Sequence, residues 1–184
     1  RGEADFSHEV YDAMAGCLAC KSCAGQCPVK VNVPEFRSRF LELYHRRYLR
    51  PVRDYLIGSL EFTMPWLARM PALYNGVMGS PWMRDVLSRR IGMVDGPLLS
   101  RLDLAATLRQ WKVRAADAQA LAALSPEQRA RSVVIVQDSF TRYFETGQLQ
   151  VLIELAARLG FQVWLAPLLP NGKPLHVQGF MGAF

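Results

Sequence analysis

Four cysteines lie within eleven residues, Cys17-Leu-Ala-Cys20-Lys-Ser-Cys23-Ala-Gly-Gln-Cys27, and Pro28 follows at once. Thiolates spaced like this sit on short loops that return each sulfur close to the last, and C-x2-C-x2-C-x3-C-P is a run that ligates a 4Fe-4S cluster. Between the cysteines, Ala19, Ser22, Ala24 and Gly25 are small. Backbone amides can therefore approach the sulfurs and hydrogen-bond them, a main control on reduction potential. Pro28 has no amide and turns the chain away after the last ligand. Cys17, Cys20, Cys23 and Cys27 are the expected cofactor and metal ligands, and no residue is assigned a catalytic role.

Two other uses of the thiols compete with the cluster. A zinc site usually draws its sulfurs from two separated C-x2-C knuckles, and this chain has no second knuckle. Disulfides would close loops too small to gain much chain entropy, in a geometry that i,i+3 cysteines reach only with strain. The cysteine count adds a constraint. In two-cluster ferredoxins the cysteine before the proline serves the other cluster, which leaves Cys27 facing absent ligands and the first three lacking a fourth. Either all four close on one cluster or the chain is a piece of a longer one. The opening Arg1 and the ending Gly182-Ala183-Phe184 favour a piece, with further ligands expected upstream.

The elements that must position the run change character once along the chain. Residues 1–110 read as a helical iron-sulfur-binding portion, and residues 125–184 as a partial α/β domain with a β-α-β order. The fold class is thus α plus the start of an open parallel α/β sheet. Pro34 suits a first helical position, and Phe36, Phe40, Leu43, Tyr44 and Tyr48 recur at helical spacing up to Arg50, before Pro51. Further helices are expected over Val52–Glu61 and Trp82–Arg90. The stretch from Phe62 to Met83 is rich in Met, Trp and Tyr but broken by proline and glycine. It cannot hide its apolar residues on one helix stripe, and is expected to be a contact surface for other domains.

In the second half, Ser125-Pro126-Glu127-Gln128 carries the signature of a capped helical turn. Ser132-Val-Val-Ile-Val-Gln137 is a continuous apolar run, as in a strand buried on both faces of a parallel sheet. A helix from Thr146, striped by Leu149, Leu152, Ile153, Leu155, Ala156 and Leu159 and stopped by Gly160, leads to a strand over Phe161–Ala166. Asp138 to Tyr143 then follow the carboxyl end of the first strand, where such sheets bind ligands. Asp138 also suits a helix N-cap.

Bulk properties bound the rest. The chain has 184 residues, 51% of them apolar, and a net charge of +6. Six arginines fall between Arg37 and Arg53, but no nucleic-acid-binding signature accompanies them. A solvated helix face, or one that docks an acidic partner or anionic lipid, is expected there. No apolar run is long enough to span a bilayer, which leaves peripheral contact with a membrane surface open. Reduced cysteines imply the cytoplasm. His8, His45 and His176 are scattered and read as structural or surface residues, and there is no G-x-G-x-x-G or P-loop.

Beyond the cysteine run, several stretches carry a resemblance: Asp5-Phe-Ser-His-Glu-Val10, Val31-Asn-Val-Pro-Glu-Phe-Arg37, Leu43-Tyr-His-Arg-Arg-Tyr-Leu-Arg-Pro51, Ile91-Gly-Met-Val-Asp-Gly-Pro97 and Pro170-Asn-Gly-Lys-Pro174. With the run they resemble the C-terminal iron-sulfur region of large FAD-linked oxidoreductases that oxidise D-2-hydroxy acids such as D-lactate or D-2-hydroxyglutarate. The resemblance implies an FAD-binding, substrate-oxidising domain before Arg1, a first cysteine set between it and this chain, and more of an α/β domain after Phe184. It also implies a downstream electron acceptor. The expected function is an electron-transfer segment of a flavin-dependent 2-hydroxy-acid dehydrogenase. The alternative is a zinc- or thiol-stabilised interaction module with no redox role.

Overall fold

The computed structural model describes residues 5–29, 31–94 and 96–184. Its contacts divide the chain into two compact units, residues 1–61 with 172–184, and Phe62–Asn171. The change from helical to α/β structure falls after Gln110, inside the second unit, so the division and the change of composition do not coincide. The architecture is the expected combination of α and α/β.

The first unit is helical: α1 (Ser7–Met14), α2 (Ser22–Gln26), α3 (Val33–Tyr44), α4 (Val52–Gly58) and, last in sequence, α13 (Lys173–Val177). Asn32 caps α3 through Glu35 N–H, and Pro34 stands in its first turn. This helix ends at Tyr44 rather than Arg50. Its buried face is not the aromatic stripe either: Phe36 and Leu43 are exposed, whereas Arg37, Ser38 and Leu41 are buried. The reason lies in α13. Arg37 donates to the carbonyls of Met14 and Val177, and the Ser38 hydroxyl lies 3.3 Å from His176 Nδ1. Polar groups can be buried here because each finds a partner.

Past Tyr44 the chain turns, which lets Arg50 reach the carbonyls of Gln178 and Gly179 and lie 4.0 Å over the Phe180 ring. The basic cluster is thereby largely consumed. Arg37 and Arg50 point inward, and Arg39 and Arg46 pair with Glu35 and Glu42 one turn back.

α5 (Leu60–Leu67) carries the chain into the second unit, where α6 (Pro71–Met78), α7 (Pro81–Val86) and a single π-turn (Leu87–Ile91) follow. Two of the prolines divide this region as expected: Pro71 and Pro81 open helices, where a missing amide costs nothing, whereas Pro65 lies inside α5. Ser59 interrupts the helix expected over Val52–Glu61. Met64 is buried and Met83 half-buried, but Trp66, Met70 and Trp82 are exposed, so the core does not absorb the segment. Trp66, Leu67, Met70, Leu73, Tyr74 and Val77 line an apolar groove of about 580 Å³.

The remainder is α8 (Leu104–Gln110), β1 (Arg114–Ala115), α9 (Ala118–Ala122), α10 (Pro126–Ala130), β2 (Ser132–Ile135), α11 (Ser139–Tyr143), α12 (Thr146–Arg158) and β3 (Gln162–Leu165). Strand order is β1-β3-β2, all parallel, with Val133 opposite Val163 and Ile135 opposite Leu165. The expected β-α-β unit is present, and Ser125 with Gln128 forms the expected capping box. β2 is an edge strand with Val134 and Val136 exposed, so its apolar run is not buried on both faces. The central strand is β3, whose Val163, Trp164 and Leu165 are buried. α8 and α12 cover the sheet, and Leu104, Ile135, Leu149, Ile153, Val163 and Leu165 form the core. Each fully buried aliphatic side chain such as Ile153 contributes about 1.5–3 kcal/mol relative to leaving it in water.

Candidate metal centre

The cysteine run begins where α1 ends, Cys17 N–H donating to Met14 O at 3.1 Å. Its backbone has two unusual residues, Ala19 at φ 52° and Lys21 at φ 64°, which flank Cys20 in the left-handed region. Non-glycine residues rest there only when the surroundings hold them, a pattern concentrated at functional sites. Ala19 is fully buried, whereas Leu18 on its amino side is 83% exposed. α2 starts at Ser22 and contains Cys23, and Cys27 closes it by donating its N–H to Cys23 O at 3.0 Å.

All four thiols are free. Cys17 and Cys27 are half-buried, while Cys20 and Cys23 are exposed. The Cys20 thiol is pulled below the usual range, first by the backbone N–H of Ser22, then by the Ser22 hydroxyl, with Lys173 adding a positive charge nearby. Cys20 Sγ and Ser22 Oγ are 3.6 Å apart. These contacts suit a thiolate ligand, whose sulfur accepts hydrogen bonds from main-chain amides. Four reduced thiols in this chain order fit an iron-sulfur cluster in donor type and number. Their side chains stand apart: among the described residues no three Cys, His, Asp or Glu side chains come together as a metal cage.

The other candidate residues are structural. Asp138 caps α11, accepting from Thr141 N–H at 2.8 Å while Asp138 N–H donates back to Thr141 Oγ1, so the turn reading prevails over the ligand reading. His8 meets the Tyr44 hydroxyl at 2.8 Å. His176 Nε2 lies 3.1 Å from the Glu35 carboxylate, and His45 Nε2 lies 3.6 Å from Asp54. The partners of His8 and His176 are far off in sequence, which is why no local pattern announced them. Asp5 accepts from Ser7 N–H and from the Tyr48 hydroxyl, which together with the Ser7 hydroxyl hold its carboxyl down to about 2. The stretches around Asp5, Arg37, Arg50 and Lys173 therefore touch one another, and they do so around the helices that carry the cysteine loop.

Sequence reasoning missed Lys173 as part of this site. Its ammonium donates to Ala19 O at 2.9 Å, across 154 residues of chain.

Comparison with known proteins finds relatives that carry the name of a dehydrogenase. Over its full length it is similar to D-2-hydroxyglutarate dehydrogenase: 67% identical to that of Pseudomonas putida, 47% to that of Escherichia coli and 39% to that of Haemophilus influenzae. The chain spans 18% of the length of these relatives, and so is the counterpart of one part of an enzyme. The resemblance carried by the cysteine run and its flanking stretches is upheld. No family model matches the chain, and no solved structure matches it. Among the described residues no helix is long and apolar enough to cross a membrane.

Proposed function

We propose that this chain is the C-terminal-side electron-transfer segment of a flavin-dependent dehydrogenase that oxidises a D-2-hydroxy acid, D-2-hydroxyglutarate by its relatives' name. The observation that carries the reading is the run of four free thiols, on a loop whose Cys20 sulfur already meets the amide and hydroxyl of Ser22, within a chain 67% identical to part of a D-2-hydroxyglutarate dehydrogenase. Cys17, Cys20 and Cys23 would hold one 4Fe-4S cluster, and Cys27 would serve a second whose other ligands lie in the remaining polypeptide.

A bound cluster supplies one-electron transfer from a flavin, held in the remaining polypeptide, toward an acceptor. This chain's own residues do the positioning. Burial of Ala19 fixes the loop against the helices, and α2 sets Cys23 and Cys27 one helical turn apart. Ser22 N–H points at the Cys20 sulfur and favours its charged form. No catalytic side chain is assigned in this segment. Four reduced thiols suit the cytoplasm. The exposed apolar face of α5 to α7 supports a contact with the flavin-bearing part of the same polypeptide.

Anaerobic purification of the full-length polypeptide tests the reading. Broad absorption near 400 nm that bleaches with dithionite, with iron and sulfide in stoichiometric amounts and loss of both in Cys20→Ser and Cys23→Ser, is the expected result. A colourless protein with bound zinc would establish the interaction-module alternative instead.

A further inference from the structure

We infer that Lys173 clamps the backbone of the cysteine loop beside Cys20 from the far end of the chain and sets a positive charge beside the cluster site. The second half of this inference rests on the electron-transfer reading above; the first does not.

The loop holds strained backbone on both sides of Cys20: Ala19 and Lys21 occupy left-handed conformations without the freedom of glycine. Ser22 binds the Cys20 sulfur from one side. On the other side Cys17 N–H donates to Met14 O at 3.1 Å, and Ala19 O, next to Cys20, receives a 2.9 Å hydrogen bond from Lys173 Nζ. That oxygen belongs to the peptide whose N–H is the Cys20 amide. An ammonium on the carbonyl end polarises the peptide and strengthens the amide as a donor at the sulfur end.

Lys173 is exposed, but the backbone that carries it is fixed. It opens α13 directly after Gly172, which adopts φ +70°. A side chain at 172 would meet the Phe184 ring at 2.5 Å, and Gly172 N–H donates to the Glu61 carboxylate at 2.9 Å. Beyond it Pro174, Leu175 and His176 are buried. The stretch Pro170-Asn-Gly-Lys-Pro174 thus has a reason for its composition: glycine for the turn, lysine for the loop, proline for the helix start. A fixed cation near a cluster favours its reduced, more negative state.

The test uses the full-length polypeptide with Lys173→Met and Lys173→Arg. Trypsin can cut after Lys21 but not at the Lys173-Pro174 bond, so neither variant removes a site. Cleavage after Lys21, followed by mass spectrometry under native conditions, should be several-fold faster in Lys173→Met and close to wild type in Lys173→Arg. Redox titration followed by electron paramagnetic resonance should show a lower cluster potential in Lys173→Met, restored in Lys173→Arg. Equal cleavage in wild type and Lys173→Met overturns the clamp. Faster cleavage with an unmoved potential overturns the electrostatic part. A wild-type polypeptide that carries no cluster overturns the electron-transfer reading instead, and the cleavage comparison still decides the clamp.

Discussion

At the residue scale, the cysteines were legible because metal ligation imposes a spacing, and spacing is a local property of sequence. The buried polar side chains were not. Arg37, Ser38 and His176 are buried because each meets a group contributed by a distant segment, and local patterns favour their exposure. His45 gives this a measurable form. Its ring is buried beside Asp54, and burial first, then the Arg50 guanidinium, pushes its pKa below the usual imidazole range, with Asp54 opposing. The unfolded chain then binds a proton that the folded one resists. Stability from this group is therefore complete above the unfolded imidazole pKa and is lost as pH falls through it, in a window starting at about 6.5. Urea unfolding between about pH 7.5 and 5.5 should show stability declining toward acid, with a shallower decline in His45→Gln. Equal slopes would show that His45 does not carry the effect.

At the element scale, what the chain could encode locally it encoded clearly. The capping box at Ser125 and Gln128, the extent of α12 with its Gly160 stop, and the two strands around it follow from side-chain type and period. Of the expected stripe, however, only Leu149, Ile153 and Ala156 are buried, whereas Leu152, Leu155 and Leu159 are exposed. Three features escaped. β1 has two residues and so no period to read. α3 stops at Tyr44, and the bend past it delivers Arg50 to the carbonyls of Gln178 and Gly179 just after α13, and β2 loses the second covering that its apolar run suggested because it lies at the sheet edge. A fourth device joins elements without any motif. Asn75 of α6 receives Leu99 N–H at 2.7 Å and donates to Leu99 O at 2.8 Å, so one buried amide satisfies both main-chain groups of a residue outside any helix or strand. Asn75→Ala leaves both unpaired. With a cost of about 1–3 kcal/mol for each unsatisfied buried group, the variant should lose about 2–5 kcal/mol, read as a lower urea midpoint at an unchanged slope. A loss below about 1 kcal/mol would mean that water takes over both partners.

At the scale of the whole molecule, the question is what covers the apolar surface that this chain does not cover itself. Trp66 is 66% exposed and Trp82 69%, and Met70 and Leu73 line the groove between α5 and α6. Single exposed apolar residues are ordinary, but a contiguous groove of them is a binding surface or a liability. This chain spans 18% of the length of its relatives, and on the function proposed above the remaining polypeptide is the occupant expected there. Acrylamide quenching separates the cases. In this chain alone Trp66 and Trp82 should be readily quenched, whereas Trp164, which is buried against β2, should not. In the full-length polypeptide the contribution of Trp66, isolated by difference with Trp66→Phe, should become shielded. Met70→Glu and Leu73→Glu should change the stability of this chain by no more than about 0.5 kcal/mol, as surface substitutions do, and should restore quenching of Trp66 in the full-length polypeptide by opening the contact. If Trp66 is quenched equally in both forms, the remaining polypeptide does not lie on this groove, and the exposed face must serve a separate partner such as the electron acceptor.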